Sequence, residues 1–291
     1  MTDPQTWTVR SVAAWTTDDL KKRGIATARL DAELIVCHAL AIDRVKLIVD
    51  GERELESREL ETIRALVKRR RAFEPIAYLR GKREFFGRDF RVDRRVLVPR
   101  PDTEILVQVA LDRLRGRDLG GCVLDLCTGS GCIAVTLKCE RPTLTVDATD
   151  LSSDALAVAR DNALRLGAIW NVRFTLGDLY APLGVARRRY DAIVSNPPYI
   201  PHAELAGLDA DVRDHEPHLA LDGGADGLVV VRRIVANAPQ WLRPGGVLAL
   251  EIGFGEAPAT ADLLRARGFA DVTIVRDYAG IERVVSGVFA D

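Results

Sequence analysis

Two short runs in this chain combine residue types that can do chemistry. The first is Asp125-Leu126-Cys127-Thr128-Gly129-Ser130-Gly131, which follows an apolar run and precedes a helical pattern. Glycines here let the backbone come close to a ligand and adopt conformations that other residues resist. Asp150 stands nineteen residues after Gly131, just past a second apolar run. A carboxylate there can accept both hydroxyls of a ribose. Loop and acid together describe a nucleoside crevice at the carboxyl ends of two strands. Alternatives stay open at this point. Gly129-x-Gly131-x-x-Ala134 with Asp150 also fits a dinucleotide fingerprint, and a glycine loop can be a plain tight turn. Asp125 favours one of them, because an acid before the loop can hold the ammonium group of S-adenosylmethionine but sits poorly beside a pyrophosphate.

The second run, Asn196-Pro197-Pro198-Tyr199, follows the apolar stretch Ala192-Ile193-Val194-Ser195. A strand end there shares its sheet edge with the glycine loop. An amide nitrogen is a poor nucleophile because its lone pair is delocalised into the carbonyl. Attack on a methyl group needs that lone pair turned toward the methyl, and a site can turn it by accepting both N–H groups. The Asn196 side-chain oxygen is one acceptor and the Pro197 carbonyl the second. Prolines fix φ and carry no N–H, so the turn is rigid and presents carbonyls. Tyr199 can stack on a planar substrate group. This is orientation without a strong base. The bland alternative is a simple turn, since Asn and Pro favour turns.

The elements that must position these residues are legible as alternation. From 121 onward strand, loop and helix repeat. Strands are expected at 122–127, 144–149, 172–176, 191–196, 247–252, 272–276 and 283–289, with helices at about 153–166, 226–242 and 258–267. Such alternation means an α/β fold with a parallel sheet. The last two strands are joined by only six residues, too few for a parallel crossover, so they must be antiparallel. Upstream, 5–72 reads as helical. Thr27 is expected to cap a helix with Leu30, Leu34, Cys37 and Leu40 on one face, and Ser57 to open another with Leu60, Ile63 and Val67 inward. Phe90-x-Val92 and Val96-x-Val98 read as a hairpin turning at Asp93-Arg94-Arg95. Asp102 is expected to cap a helix over 103–115. The expected division is a helical substrate-binding domain at 1–80, a β-hairpin linker at 81–101 and a catalytic domain at 102–291.

Composition excludes several classes. The formal net charge of −1 is not that of a protein living on nucleic acid. No apolar run reaches the roughly 18 residues of a spanning helix, and the first ten residues do not read as a secretory signal. The five cysteines, 37, 122, 127, 132 and 139, form no Cys-x-x-Cys pair and read as reduced thiols of a cytoplasmic protein. No metal site is expected, because His202, His215 and His218 lack acidic company. Between Lys68 and Arg95 eleven Lys or Arg stand against four Asp or Glu, an excess that suits either an acidic partner or a solvated face. Trp7 and Trp15 read as core of the helical part. Asp222-Gly223-Gly224 reads as a turn.

The stretches VLDLCTGSGCIAV and SNPPYI, with Asp150 between them, resemble amino-methyltransferases that act on planar nitrogen, in DNA, RNA or protein. The carboxyl-terminal half resembles class I methyltransferases, which implies a Rossmann-like, seven-stranded, mostly parallel sheet with an antiparallel last strand, beside a small helical amino-terminal domain. PIAYLRGKREFFG, VLVPRPDTEILV, DVRDHEPHLALDGGADGL and RDYAGIERVVSG are similar to the release-factor glutamine N5-methyltransferases of HemK/PrmC type, over about 75–290. That resemblance implies S-adenosyl-L-methionine as cofactor. It implies Cys127, Thr128, Gly129, Ser130 and Gly131 around the methionine part, Asp150 on the ribose, and Asp178 and Leu179 beside the adenine. It places Asn196, Pro197, Pro198 and Tyr199 on the substrate, with Asn196 also bordering the cofactor. The substrate implied is the glutamine of the Gly-Gly-Gln loop of peptide chain release factors. A sister family acting on a ribosomal protein, and N-methylation of an exocyclic amino group in DNA or RNA, are the alternatives. A non-catalytic cofactor-binding module and a nicotinamide dehydrogenase stand further off. A monomer is expected, with neither a membrane nor nucleic acid as partner.

Overall fold

The computed structural model of this chain describes residues 6–116, 120–184 and 188–290. The chain forms two compact units, Met1–Gly81 with Asp209–His215, and Lys82–Leu208 with Glu216–Asp291.

The first unit is helical: α1 (Val9–Lys22), α2 (Ala28–Leu40), α3 (Arg44–Val49), α4 (Ser57–Arg71) and α5 (Ile76–Arg80). Its core is built from Leu20, Ile35, Ile63 and their neighbours. The buried face of α2 differs from the expected one. Leu30 is 43% exposed, while Cys37 is buried as expected, together with Ala28, Asp31, Ala32, Ile35 and Val36. The cause is an inward ion pair: Arg70 Nε donates to Asp31 Oδ2 at 2.7 Å, with both side chains buried. A buried charge must be paired, so Asp31 turns to Arg70 and rotates the helix with it. Thr27 makes no capping bond, because its backbone is not in the extended conformation a cap needs. Trp7 packs against the core. Trp15 instead lies 43% exposed, with the Arg71 guanidinium 5.5 Å from its ring centroid. Arg69, Arg70 and Arg71 all pair internally, with Glu74, Asp31 and Asp19.

The second unit opens on a hairpin, β1 (Lys82–Phe85) and β2 (Arg88–Arg91). This is earlier than the sequence suggests. Its two-residue loop, Phe86-Gly87, has φ of 51° and 73°, the left-handed pair of a type I′ turn. Phe-Gly is not the usual signal for that turn, which hid it. Residues 93–98 form no strand. Asp93 accepts from the Arg95 backbone N–H at 3.0 Å and folds the chain back locally, while Val96 and Val98 are buried without strand partners. α6 (Thr103–Arg113) follows. Asp102 does not cap it, since its φ of −63° and ψ of −29° already belong to a helix.

Then come β3 (Cys122–Leu126), α7 (Cys132–Glu140), β4 (Thr145–Asp150), α8 (Ser153–Arg165), β5 (Val172–Leu176) and β6 (Tyr190–Ser195). α9 (Ala210–Arg213) belongs to the first unit. The second continues with α10 (Val229–Trp241), β7 (Leu242–Glu251), α11 (Ala257–Ala266), β8 (Phe269–Arg276) and β9 (Glu282–Phe289). The seven strands run in the order β5-β4-β3-β6-β7-β9-β8. β3 to β7 pair in parallel, and β9 is antiparallel to both neighbours, as the short β8–β9 link requires. Strand residues alternate between two cores. Val123, Val146, Val194 and Val247 face α6, α7 and α8. Leu124, Ile193, Leu248 and Val285 face α10 and α11.

The hairpin contributes to the first of these cores. Phe85 and Phe90 are fully buried there, edge to face with centroids 5.9 Å apart. Phe85→Ala is expected to lower stability by about 3–5 kcal/mol, read as a lower denaturant midpoint for the second unit. An unchanged midpoint would mean that the hairpin is not part of that core.

Candidate active site

Parallel register brings the loops after β3, β4, β5 and β6 to one sheet edge. Leu126 lies opposite both Thr149 and Ser195, and Asp150 opposite Leu176. The residues that follow therefore emerge side by side, on strands about 4.8 Å apart. A cavity opens at this edge. Cys127, Thr128, Gly129, Ser130, Asp150, Asp178, Leu179, Asn196 and Pro198 are among its lining residues, together with Thr103, Arg100 and Arg233. Asp125, Gly131, Pro197 and Tyr199 do not line it.

The glycine loop is shaped from behind. Asp125 is fully buried; its Oδ2 accepts from the Thr128 hydroxyl at 2.6 Å and from the Ala134 N–H at 3.2 Å. Oδ1 has no hydrogen-bond partner. Burial pushes this carboxyl up to about 7, against the lowering effect of Thr128 and Ala134. Ala134 is the third residue of α7, so one N–H that a pyrophosphate would use at a helix N-terminus is already taken, by an acid. That argues against a dinucleotide. Gly131 caps α7 with φ of 79°, and a Cβ there would stand 3.0 Å from that of Ala159. Cys127 carries φ of 58° without being glycine, and burial pushes its thiol up to about 12.

Asp150 accepts from the Gly129 N–H and the Ser152 N–H, each at 2.8 Å. A carboxylate has about four acceptor positions, so capacity remains for a ribose hydroxyl. Burial raises its pKa. Asp178 pairs with Arg233 at 2.6 Å. The Leu179 carbonyl accepts from the Thr149 hydroxyl at 2.9 Å. An acid for ribose hydroxyls and a left-handed glycine loop, braced from behind by the buried Asp125, fit a nucleoside that carries an amino-acid tail.

Asn196 stands at the cavity edge with its Nδ2 donating to Thr103 Oγ1 at 3.2 Å, which leaves Oδ1 as an acceptor. Pro197 is buried. The Tyr199 ring lies against Gly253, where a Cβ would come within 3.1 Å, and the Tyr199 backbone runs so close to Gly223 that a Cβ there would meet it at 2.7 Å. Gly223 is thus more than a turn residue. It lets the Asn196–Tyr199 turn rest on the 221–224 segment, with Ile200 N–H donating to Leu221 and Gly223 N–H donating to Ile200.

Thr103 and Glu251 were not singled out by sequence reasoning, and Glu216 stood out only in the pair Glu216-Pro217, without a role. Glu216 is buried, and accepts from Arg100 at 2.7 Å and from the Val98 N–H at 3.3 Å. It pins the 96–100 segment that lines the cavity. Thr103 and Glu251 are both buried, and the Thr103 hydroxyl oxygen accepts from Asn196 Nδ2. Of the histidines, His202 pairs with Asp222 at 2.9 Å and His215 Nε2 contacts the Ala72 carbonyl at 2.7 Å. The basic residues Lys82, Arg88, Arg91 and Arg95 pair with Asp89, Glu140, Asp161 and Asp93, which favours the solvated face over a free basic patch.

Strand order, glycine loop and acid on the neighbouring strand define a class I methyltransferase. Comparison with known proteins gives the branch. A model of the PrmC N-terminal domain matches residues 11–81, and one of the methyltransferase small domain matches 101–211. The release factor glutamine methyltransferase of Geobacter sulfurreducens is 45% identical over 98% of this chain and 98% of its own. That of Cereibacter sphaeroides is 44% identical over 92% and 93%. In fold, the chain is similar to a Pyrococcus furiosus methyltransferase structure, with a TM-score of 0.53 at 21% identity, covering 78% of this chain and 98% of that one. The chain belongs to the release factor glutamine methyltransferase family.

Asp125 gives a pH prediction. Its folded-state pKa is raised from the usual 3.8 to about 7, so the native state keeps a proton that the unfolded chain has already lost. Its contribution to stability is present below about pH 4 and is lost as the pH rises to about 7. The melting-temperature difference between Asp125→Asn and the parent should therefore move in favour of the variant from pH 4 to 7. A constant difference would show that Asp125 does not titrate in that window.

Proposed function

We propose that this chain methylates the side-chain amide nitrogen of the glutamine in the Gly-Gly-Gln motif of peptide chain release factors, with S-adenosylmethionine as methyl donor. The observation that carries the reading is Asn196 at the cavity edge, its NH₂ committed to Thr103 and its oxygen left to accept. Identity of 45% over nearly all of both chains to a release factor glutamine methyltransferase supports the substrate.

S-adenosylmethionine, when bound, supplies a methyl group activated by its sulfonium. The remaining work falls to the chain. Residues Cys127 to Gly131 enclose the amino-acid part, Asp150 takes the ribose hydroxyls, and Asp178 with Leu179 border the base. Asp125 acts through the loop it braces. Asn196 Oδ1 accepts one N–H of the substrate amide and the Pro197 carbonyl accepts the other. Both bonds fix the plane of the amide, so that the nitrogen lone pair faces the methyl group, which is catalysis by orientation and fixed dipoles. Pro198 borders the substrate, and Tyr199 holds the turn against its neighbours. The helical residues 1–80 recognise the release factor, and 81–101 join them to the catalytic residues 102–291. The enzyme acts as a monomer in the cytoplasm, and nucleic acid is not its substrate. Among the described residues no helix is long and apolar enough to cross a membrane.

The test is transfer of labelled methyl to a purified release factor, beside one whose Gly-Gly-Gln glutamine is substituted. Label on the first alone is expected; label on both would reject the assigned target. Asn196→Ala should lower kcat by about 10²–10³-fold while calorimetry shows cofactor affinity nearly unchanged. Asp150→Ala should do the reverse, weakening cofactor binding. Full turnover in the first, or full affinity in the second, removes the role assigned to that residue.

A further inference from the structure

Among the described residues the cavity wall carries three cations, Arg95, Arg100 and Arg233, and they are held differently. Arg95 spends Nε and Nη2 on Asp93, at 2.8 and 2.6 Å. Arg233 gives Nη2 to Asp178, just past β5. Arg100 gives a single N–H, from Nη2, to Glu216 Oε1 at 2.7 Å. The Glu216 side chain is 1% exposed and that of Arg100 35%. Arg100 lines the cavity and Glu216 does not. The pair thus keeps its anion in the interior and its cation on the cavity wall. Glu216 also accepts the Val98 N–H at 3.3 Å, so the acid that holds the guanidinium is itself held from a second side. A guanidinium carries five N–H donors in a fixed plane. Neutralising the buried Glu216 accounts for one of them and leaves the rest of the fork for another acceptor.

Sheet order identifies that acceptor. At this edge the strands run β5-β4-β3-β6. Asp178 follows β5, Asp150 ends β4, the glycine loop follows β3 and Asn196 follows β6, and residues from all four places line the cavity. With the base at Asp178 and the ribose at Asp150, the amino-acid tail runs on across β3 toward β6. Arg100 belongs to that far end. Its carbonyl accepts the Thr103 N–H at 3.1 Å, and Thr103 Oγ1 accepts Asn196 Nδ2 at 3.2 Å. Arg233, by its bond to Asp178, belongs to the base end. The tail carries an ammonium and a carboxylate, and of the two only the carboxylate can accept from a guanidinium. We propose that Arg100, held in place by Glu216, is the binding residue for the carboxylate of the S-adenosylmethionine tail. This rests on the placement of the ribose at Asp150.

The experiment is calorimetry of the full chain with two ligands that differ only in this group, S-adenosylmethionine and its decarboxylated form. The parent should bind the first about 10- to 100-fold more tightly, as a charge-assisted hydrogen-bonded pair provides. Arg100→Met should close that gap to within about threefold, with affinity for the decarboxylated ligand held within about twofold. Arg100→Lys keeps the charge without the planar fork and should fall between the two. Arg100→Met leaves the buried Glu216 unpaired, so a double variant, Arg100→Met with Glu216→Gln, removes that charge too. It should show the same closed gap with a melting temperature nearer the parent's. Equal binding of the two ligands by the parent overturns the proposal, whatever the variants do. So does an Arg100→Met chain that keeps the gap. A chain that loses affinity for both ligands alike also overturns it, and makes the pair a brace of the 96–100 segment only. Asp150→Ala separates the two levels, because it should weaken both ligands equally and leave the gap. If it weakens neither, the ribose placement on which the proposal rests fails.

Discussion

The site depends on the parallel register of β3, β4 and β6. A one-residue slip of β6 would move Asn196 by about 3.3 Å along the strand and turn each side chain to the opposite face. Several interactions hold the register. The Ser195 hydroxyl donates to the Leu126 carbonyl at 2.7 Å, across from strand to strand. Apolar side chains on both faces allow no slip, because Val123 and Leu124 belong to different cores, as do Ile193 and Val194. At the opposite end of the sheet Asp191 accepts from the Cys122 N–H at 2.7 Å, fastening the same two strands again.

Charge at the cavity is arranged around this frame. The cations on its wall are matched: Arg100 by Glu216, Arg233 by Asp178 and Arg95 by Asp93. Asp125, Asp150 and Glu251 instead owe their raised pKa values first to burial. Of these three acids only Asp150 lines the cavity.

What the sequence disclosed follows from how local each signal is. β5 was readable to the residue, since Val172–Leu176 is a short run between polar flanks. The antiparallel end of the sheet followed from chain length alone. The NPPY turn and Asp150 were visible because rare residue types sit at strand ends. What escaped notice depends on partners far away in the chain. Glu216 reaches Val98 across 118 residues, and Thr103 meets Asn196 across 93. Asp31 turned a helix because of Arg70, thirty-nine residues on. The hairpin was misplaced because Phe86-Gly87 lacks the usual turn residues, while Asp93 imitates a turn through its own side chain. The packing of the Tyr199 ring against Gly253 was likewise invisible in the sequence.

Cys127 raises a question of self-protection. A thiolate is among the best acceptors of a methyl group, and this cysteine lines the cavity where an activated methyl is to be handled. Burial pushes its thiol up to about 12, which favours the thiol form at neutral pH. The left-handed loop therefore accommodates a nucleophilic atom by keeping it protonated. Chemoselectivity between the enzyme's own sulfur and a far weaker nitrogen nucleophile is thereby decided by solvation, before any substrate arrives.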